Sequence, residues 1–350
     1  MLNVIDVDNI QKWNEIVNSF AQYDIYYLNG YAKSFKINGD GEPLLFYFEH
    51  GNTKAINVVM KRDLCEEKHF IGKIESGCYF DFSTPYGYGA WIVEGEEIDK
   101  LNQEYTEWCK NANIVSEFVR FHPFMSSHVL LKDMYYSKKL SSVVSIDINN
   151  ESAILENIKS KDRNMINKAK KSDIRIKYDN VGKFINKFID MYNETMERNN
   201  AADYYYFDDT FFKSMLNELK NNFMIVYAEK DNEIVAMAMI LYSNCNMHYH
   251  LAASRKEYQK YAPSNLLIYD IACWGNKNGY RRFLLGGGVN GLEDGLYRFK
   301  KAFNKNSDID FYIGRKIFNK QKYEELLNIR KLQDNNFDIN NSYLKQYLAD

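Results

Sequence analysis

Several groups of residues in this chain have the types and spacing to do chemistry. Arg163, Lys168, Lys170, Lys171, Arg175 and Lys177 concentrate positive charge in one short stretch. Such a run can meet the phosphates of a nucleic-acid backbone or an anionic membrane surface, and it reads equally as the solvated face of a helix. Gly286-Gly-Gly-Val-Asn-Gly291 directly follows a strand-like run. Strand ends at a sheet opening are where ligands bind in α/β folds, so Gly286, Gly287 and Gly288 are candidates to line a substrate site. No G-K-[ST] follows them, so the loop is not a P-loop. An earlier loop, Tyr86-Gly-Tyr-Gly89, offers Tyr86 and Tyr88 as substrate-binding side chains, or is a tight turn with packed tyrosines.

Other chemistries find less support. His248 and His250 alternate and would share one face of a strand, but no carboxylate or cysteine stands at a telling spacing, and no metal is expected. The 5 cysteines are scattered, with no C-x-x-C pair and no apparent base beside any of them. No Ser/His/Asp signature is present.

The elements that would position these residues follow from pattern. The chain has 350 residues, enough for two globular domains, and its 15% aromatic content excludes a disordered chain. The balance of 45 basic against 47 acidic residues excludes a polyelectrolyte-style nucleic-acid binder, so phosphate recognition must be local. The N-terminus lacks the basic start and apolar core of a signal peptide, and the longest apolar run, Ile234 to Tyr242, is too short to span a bilayer. A cytoplasmic protein is expected, with at most a peripheral membrane contact.

Two stretches share one order of elements. Pro43–Glu49 and Lys54–Lys61 form a hairpin across His50-Gly-Asn-Thr53, and Phe223–Glu229 and Ile234–Tyr242 form another across Lys230-Asp-Asn-Glu233. Each is followed by a third strand (Cys78–Phe82; Met247–Ala253), a loop, a helix (near Ile98–Asn111; near Pro263–Lys277) and a further strand (Ile114–Phe121; Arg281–Leu285). Between them lie a polar helix over Lys159–Lys171, a strand at Ile174–Tyr178, and helices at Phe184–Arg198 and Asp209–Leu219. The chain is expected to close with a strand at Ile309–Ile313 and helices over Lys320–Lys331 and Ile339–Leu348. The fold class is therefore α/β with mixed sheets, in two domains: 1–150, with 316–350 as a candidate to complete it, and 151–315, which carries most motif residues.

This order resembles the GNAT acyltransferase fold, in which the third strand splays from the next and an acyl donor lies in the gap. Pro263 stands where the first helical residue would be, and a helix N-terminus attracts anions. The loop before it, Arg255-Lys-Glu-Tyr-Gln-Lys-Tyr-Ala-Pro263, has none of the glycines of the R/Q-x-x-G-x-G/A loop that acetyl-CoA users of the fold carry.

Ser160-Lys-Asp-Arg-Asn-Met-Ile-Asn-Lys-Ala-Lys170, Tyr192-Asn-Glu-Thr-Met-Glu-Arg198, Tyr261-Ala-Pro-Ser-Asn-Leu-Leu267, Gly286-Gly-Gly288 and Tyr297-Arg-Phe-Lys-Lys-Ala-Phe303 together resemble the Fem family. Those tandem GNAT-like proteins use aminoacyl-tRNA to add amino acids to the peptide of cell-wall precursors. Asp81-Phe-Ser-Thr-Pro-Tyr-Gly-Tyr-Gly89 and Arg120-Phe-His-Pro123 resemble a related GNAT branch. The resemblance implies that Lys300 stabilises the oxyanion formed as an amine attacks an acyl carbonyl. It also implies that Arg198 and either Lys33 or Lys36 grip the diphosphate of a nucleotide-linked acceptor. Arg163, from the basic stretch, is a further candidate substrate contact. Tyr249, Tyr258 and Tyr261 are candidates to position the acceptor or relay a proton.

The expectation is thus an acyl- or aminoacyltransferase working by direct amine attack on a nucleotide- or lipid-linked envelope precursor. No tightly bound cofactor is expected, and the donor is aminoacyl-tRNA or acyl-CoA. The long paired-heptad arm of staphylococcal-type members is absent from the sequence, which leaves the tRNA donor open. The alternatives are an acyl-CoA-dependent GNAT N-acyltransferase and a non-catalytic binder of an envelope precursor.

Overall fold

The polar turn after His50 folds as its composition dictates, in a computed structural model that describes residues 1–306 and 308–349. The chain divides into two compact units, residues 1–140 with 311–350, and residues 141–310.

In the first unit, β1 (Leu2–Asp6) is followed by helices α1 (Ile10–Asn18) and α2 (Asn29–Ile37). Strand β2 (Glu42–His50) then turns at Gly51, whose φ of +56° lies in the left-handed region, into β3 (Thr53–Asp63). Next come β4 (Phe80–Ser83), β5 (Ile92–Glu94), α3 (Ile98–Asn111), β6 (Ile114–Arg120) and the short α4 (Ser127–Leu130). Strand β7 (Tyr136–Asp147) leads into the second unit.

There the order is α5 (Glu151–Asn157), α6 (Ser160–Lys171), β8 (Arg175–Asp179), α7 (Ile185–Arg198), α8 (Asp209–Glu218), β9 (Phe223–Lys230), β10 (Glu233–Ser243) and β11 (Asn246–Ser254). Helix α9 (Pro263–Lys277), β12 (Arg282–Gly286) and α10 (Gly295–Lys301) complete it. The chain returns through β13 (Ile309–Ile317) and α11 (Lys320–Gln333).

Both units use one strand plan. The first runs β1-β2-β3-β4-β6-β13, with β5 pairing β3 beside this path, and the second runs β8-β9-β10-β11-β12-β7. In each, one neighbouring pair is parallel, β4 with β6 and β11 with β12, and that pair is bridged by a helix, α3 or α9. A parallel pair needs such a crossover, whereas the antiparallel pairs need only turns. The plan is that of two GNAT-like units.

Strand β9 is buried from Phe223 to Ala228 without alternation, and β10 from Val235 to Leu241, as strands covered on both faces must be. Helix α9 presents Leu267, Ile268, Ile271 and Ala272 to a core that includes Met224, Val226, Ala238 and Ile240. In the first unit Phe46, Trp91, Tyr105 and Phe318 fill the corresponding space.

The segment expected to be helical over Ile339–Leu348 is irregular and ends in a single 3₁₀ turn, Gln346–Leu348. Side-chain docking overrides its local preference. Lys345 Nζ reaches Asp81 at 2.6 Å, and the Tyr347 hydroxyl lies 2.8 Å from Ser116 Oγ and 3.2 Å from Asp81 Oδ2. Among the described residues no helix is long and apolar enough to cross a membrane.

Candidate active site

The two parallel strand pairs differ where a ligand would enter. In the first unit β4 and β6 stay joined beyond the end of β4. Thr84 N donates to Phe118 O at 3.1 Å, Gly89 N to Arg120 O at 2.7 Å, and His122 N to Gly89 O at 3.1 Å. Beside them the Glu117 carboxyl is fully buried and accepts from the Tyr135 hydroxyl at 2.7 Å, the Tyr105 hydroxyl at 3.1 Å and Asn57 Nδ2 at 3.1 Å. Burial raises its pKa despite these three donors. Strand separation here is closed by backbone bonds.

In the second unit β11 and β12 pair only at Asn246↔Arg282, Met247↔Phe283 and His248↔Leu284, although β11 continues to Ser254. Two bulges lie at this level. On β11, Met239 faces Leu251 while Ile240 faces Tyr249, so His250 is the extra residue. On β12, Leu284 faces Ser145 while Gly286 faces Val144, so Leu285 is extra. A bulge bends its strand and increases the twist. Each bulge sits where the β11/β12 pairing stops, which leaves a gap in the ladder at the carboxyl ends of the parallel pair.

Lys300 stands at the carboxyl end of β12, beside that gap. Side chains on a helix lean toward its N-terminus, and from α10 the Lys300 ammonium returns to the glycine loop, donating to Gly287 O at 2.7 Å. Phe299, Tyr297 and Phe303 pack α10 onto the core of the unit. Burial pushes the Lys300 pKa down to about 8, with the Asp294 carboxylate opposing the fall. At neutral pH it is therefore mostly a partly dehydrated cation with protons to offer.

The three glycines serve different ends. Gly286 adopts a φ of +80°. Gly287 supplies the carbonyl that holds Lys300. At Gly288 a Cβ would sit 2.0 Å from Leu292 O and 2.5 Å from Asp294 Oδ1, so only glycine fits. Asp294 itself escaped the sequence reading. It caps α10 by accepting from Tyr297 N at 2.8 Å, and closes the glycine loop by accepting from Val289 N at 3.0 Å. An Asp just before a helix start is an N-cap signal that could have found it.

The remaining candidates fall as follows. Tyr249 lies half-buried on β11 where the strands part, its ring edge-on to Phe283 at 6.3 Å, and burial raises its hydroxyl pKa. Tyr261 closes the 3₁₀ turn Lys256–Tyr261 beyond β11, with the Lys230 and Lys260 ammonium groups 5.2 and 5.1 Å from its ring centre. In the same turn Tyr258 donates to Glu233 at 3.2 Å, and just before it Arg255 pairs with Glu233 at 3.0 Å. Arg198 ends α7 and donates to Thr195 Oγ1 at 3.2 Å; that oxygen also accepts from Ser254 N at 3.3 Å, which brings Arg198 to the carboxyl end of β11. Lys300, the glycine loop, Tyr249 and Arg198 thus all lie toward the carboxyl ends of β11 and β12.

Arg163 instead caps the end of α5, donating to Ile158 O at 2.9 Å, to Glu156 O at 3.4 Å and to Ser160 Oγ at 3.0 Å. Within the basic stretch Arg175 pairs with Asp173 at 3.1 Å and Lys177 with Glu229 at 2.6 Å. In the first unit Lys33 is partly exposed on α2, and Lys36 is exposed and paired with Glu42 at 2.7 Å. Tyr86 stacks on Phe35 at 5.5 Å and Tyr88 is buried against Tyr26 at 5.5 Å, so this loop is packed into an aromatic cluster. His250, next to buried His248, has its pKa pushed down to about 3 by burial and by that neighbour. Among the described residues no group of three or more His, Cys, Asp or Glu side chains could hold a metal ion.

Residues 156–301 match the acetyltransferase (GNAT) domain family. No curated protein matches the chain in sequence. In structure the chain is similar to FemX, with a TM-score of 0.69 and 13% identity over 92% of this chain and 99% of that one. A conserved protein of unknown function from Bacteroides thetaiotaomicron has a TM-score of 0.59 and 12% identity over 90% and 100% of the two chains. The C-terminal domain of a protein described as a lysylphosphatidylglycerol synthetase, from Agrobacterium fabrum, has a TM-score of 0.54 and 13% identity over 94% and 96%.

Proposed function

Starting from a chain that carries a GNAT acetyltransferase domain over residues 156–301 and shares the FemX fold, we propose that this protein is an acyltransferase. In this reading it moves an activated aminoacyl group onto an amine of an envelope precursor, and the chemistry lies in the second unit. The observation that carries the reading is the Lys300 ammonium, held on the Gly287 carbonyl at the open end of the β11/β12 gap.

The step is a direct transfer. A neutral acceptor amine attacks the carbonyl carbon of the aminoacyl ester, the C=O π pair moves to oxygen, and the resulting oxyanion is met by the Lys300 ammonium. Collapse expels the ester alkoxide, and the nitrogen loses its proton as the alkoxide gains one. No covalent enzyme intermediate is needed. An ammonium placed for charge that exists mainly in the transition state lowers the barrier selectively. Tyr249 stands where the strands part and is the proposed acceptor-side group; its raised pKa suits a hydroxyl that stays protonated. Arg198, with its planar fork, is the proposed phosphate contact of the acceptor.

Aminoacyl-tRNA is favoured over acyl-CoA by the turn before α9. Residues 256–261 form a 3₁₀ turn tied to Glu233 by Tyr258 and Arg255, where an acyl-CoA user would carry a glycine-lined pyrophosphate cradle. The test is to incubate the protein with charged tRNA or with acyl-CoA, together with a nucleotide-linked muropeptide, and to follow acceptor mass. Gain of one aminoacyl residue from charged tRNA supports the reading. Gain from acyl-CoA moves the protein to the N-acyltransferase class, and binding of the muropeptide with no transfer from either donor leaves a non-catalytic binder.

A further inference from the structure

Lys300 is held by more than its own helix. The loop from Gly286 to Asp294 closes back on itself because Asp294 binds it at both ends, Val289 N to one carboxylate oxygen at 3.0 Å and Tyr297 N to the other at 2.8 Å. Gly288 lacks a Cβ at the point where one would strike Asp294 Oδ1 and Leu292 O. The ammonium that returns along α10 meets Gly287 O in the same loop.

The other charges on α10 are turned elsewhere. Arg298 donates to Glu293 O at 2.9 Å, and Lys301 pairs with Asp308 at 2.7 Å. On the β7 side the loop packs on backbone, since a Cβ at Gly287 would lie 3.2 Å from Ser142 O. Asp294 and Lys300 thus meet the same loop at adjacent residues, the carboxylate at Gly288 and Val289 and the ammonium at Gly287 O, and at that separation, without a direct ion pair, each favours the charged form of the other.

We propose that Asp294 is the positioning residue of this site: its carboxylate staples the glycine loop to the head of α10 and keeps the Lys300 ammonium charged at the carboxyl end of β12. The catalytic consequence rests on the reading of Lys300 given above, but control of the Lys300 proton can be measured without any substrate.

The measurement is competitive trace acetylation of the full chain with acetic anhydride across pH 6 to 11, reading the Lys300 peptide by mass spectrometry. In the wild type, Lys300 becomes reactive around pH 8, as buried Lys345 of the first unit also does, and below an ordinary surface lysine. Asp294→Asn keeps the N-cap bond to Tyr297 N but removes the charge and the second bond, to Val289 N, so the midpoint falls by roughly one pH unit, as losing a neighbouring opposite charge dictates. Acetylation of Lys300 at pH 7 then rises about five-fold, following the neutral fraction. Asp294→Glu, a poor cap that restores the charge, returns the midpoint toward the wild-type value.

A purely structural Asp294 would give the opposite pattern, with an unchanged midpoint in Asp294→Asn or an equal shift in Asp294→Glu, and either result overturns the proposal. Asp294→Ser, also a good cap, is measured alongside with melting temperatures. Failure of both capping variants to fold would likewise assign the residue to stability alone. The catalytic reading fails separately, through an unchanged transfer rate in Lys300→Ala, and that result leaves the titration untouched.

Discussion

Replacing Lys300 by methionine should stabilise the second unit while abolishing its chemistry. The site holds the lysine at a pKa of about 8 against the ordinary 10.5. At 1.36 kcal/mol per pH unit, that difference sets the cost of carrying the charge there at no more than about 3.5 kcal/mol. Partial exposure screens a share of it. Methionine also leaves the Gly287 carbonyl without its donor, which returns about 1 kcal/mol. A net gain of about 1–2 kcal/mol remains.

The pH window fixes the sign. Between about 8 and 10.5 the unfolded chain binds the proton more tightly than the folded one, so wild-type stability rises with pH across this interval. The advantage of Lys300→Met is therefore full below about pH 8 and fades toward 10.5. Urea titrations at a series of pH values would follow a 5-fluorotryptophan signal from Trp274, the tryptophan of the second unit. A variant less stable than the wild type at pH 7, or a difference flat from pH 7 to 10.5, would refute the reasoning.

Two further substitutions probe the frame around the site. Gly288→Ala forces a Cβ to within 2.0 Å of a backbone oxygen, so the loop must move. It should cost about 1–3 kcal/mol in denaturant titration and slow transfer at least about ten-fold, whereas Gly295→Ala, with open space around its Cβ, should leave both unchanged. Equal behaviour of the two variants would remove the loop from the account. Asp81→Asn strands Arg62 and Lys345, which lie 2.8 and 2.6 Å from a fully buried carboxylate. It should destabilise the first unit by about 3–5 kcal/mol, read as a lowered denaturation midpoint from the fluorescence of Trp91 and Trp108. Because the Asp81 pKa is depressed, its contribution is full above the ordinary carboxylate range and is lost as pH falls through its folded pKa; no loss on acidification would contradict the pairing.

What was legible in the sequence is what depends on local pattern. The hairpins announce themselves by polar turns between apolar runs, and α9 by Pro263 at its first position. The first half of β7, Tyr136-Ser-Lys-Lys-Leu-Ser-Ser142, is partly exposed and largely polar, so nothing in its composition marks a strand. The final segment reads as a helix and is not one, because Lys345 and Tyr347 are drawn to Asp81, a partner from the far end of the sequence. The opening between β11 and β12 depends on single extra residues, His250 and Leu285, in strands of otherwise ordinary pattern. Asp294 was within reach as a helix cap, but its place beside Lys300 depends on how the glycine loop closes.

The account turns on Lys300 as the group that meets the oxyanion. Its most direct test is single-turnover transfer from charged tRNA to a nucleotide-linked muropeptide, followed by mass, for wild type and Lys300→Ala. The account predicts a fall in the transfer rate of at least about a hundred-fold, the scale of losing one oxyanion donor, with acceptor affinity nearly unchanged. Equal rates in the two proteins would contradict it.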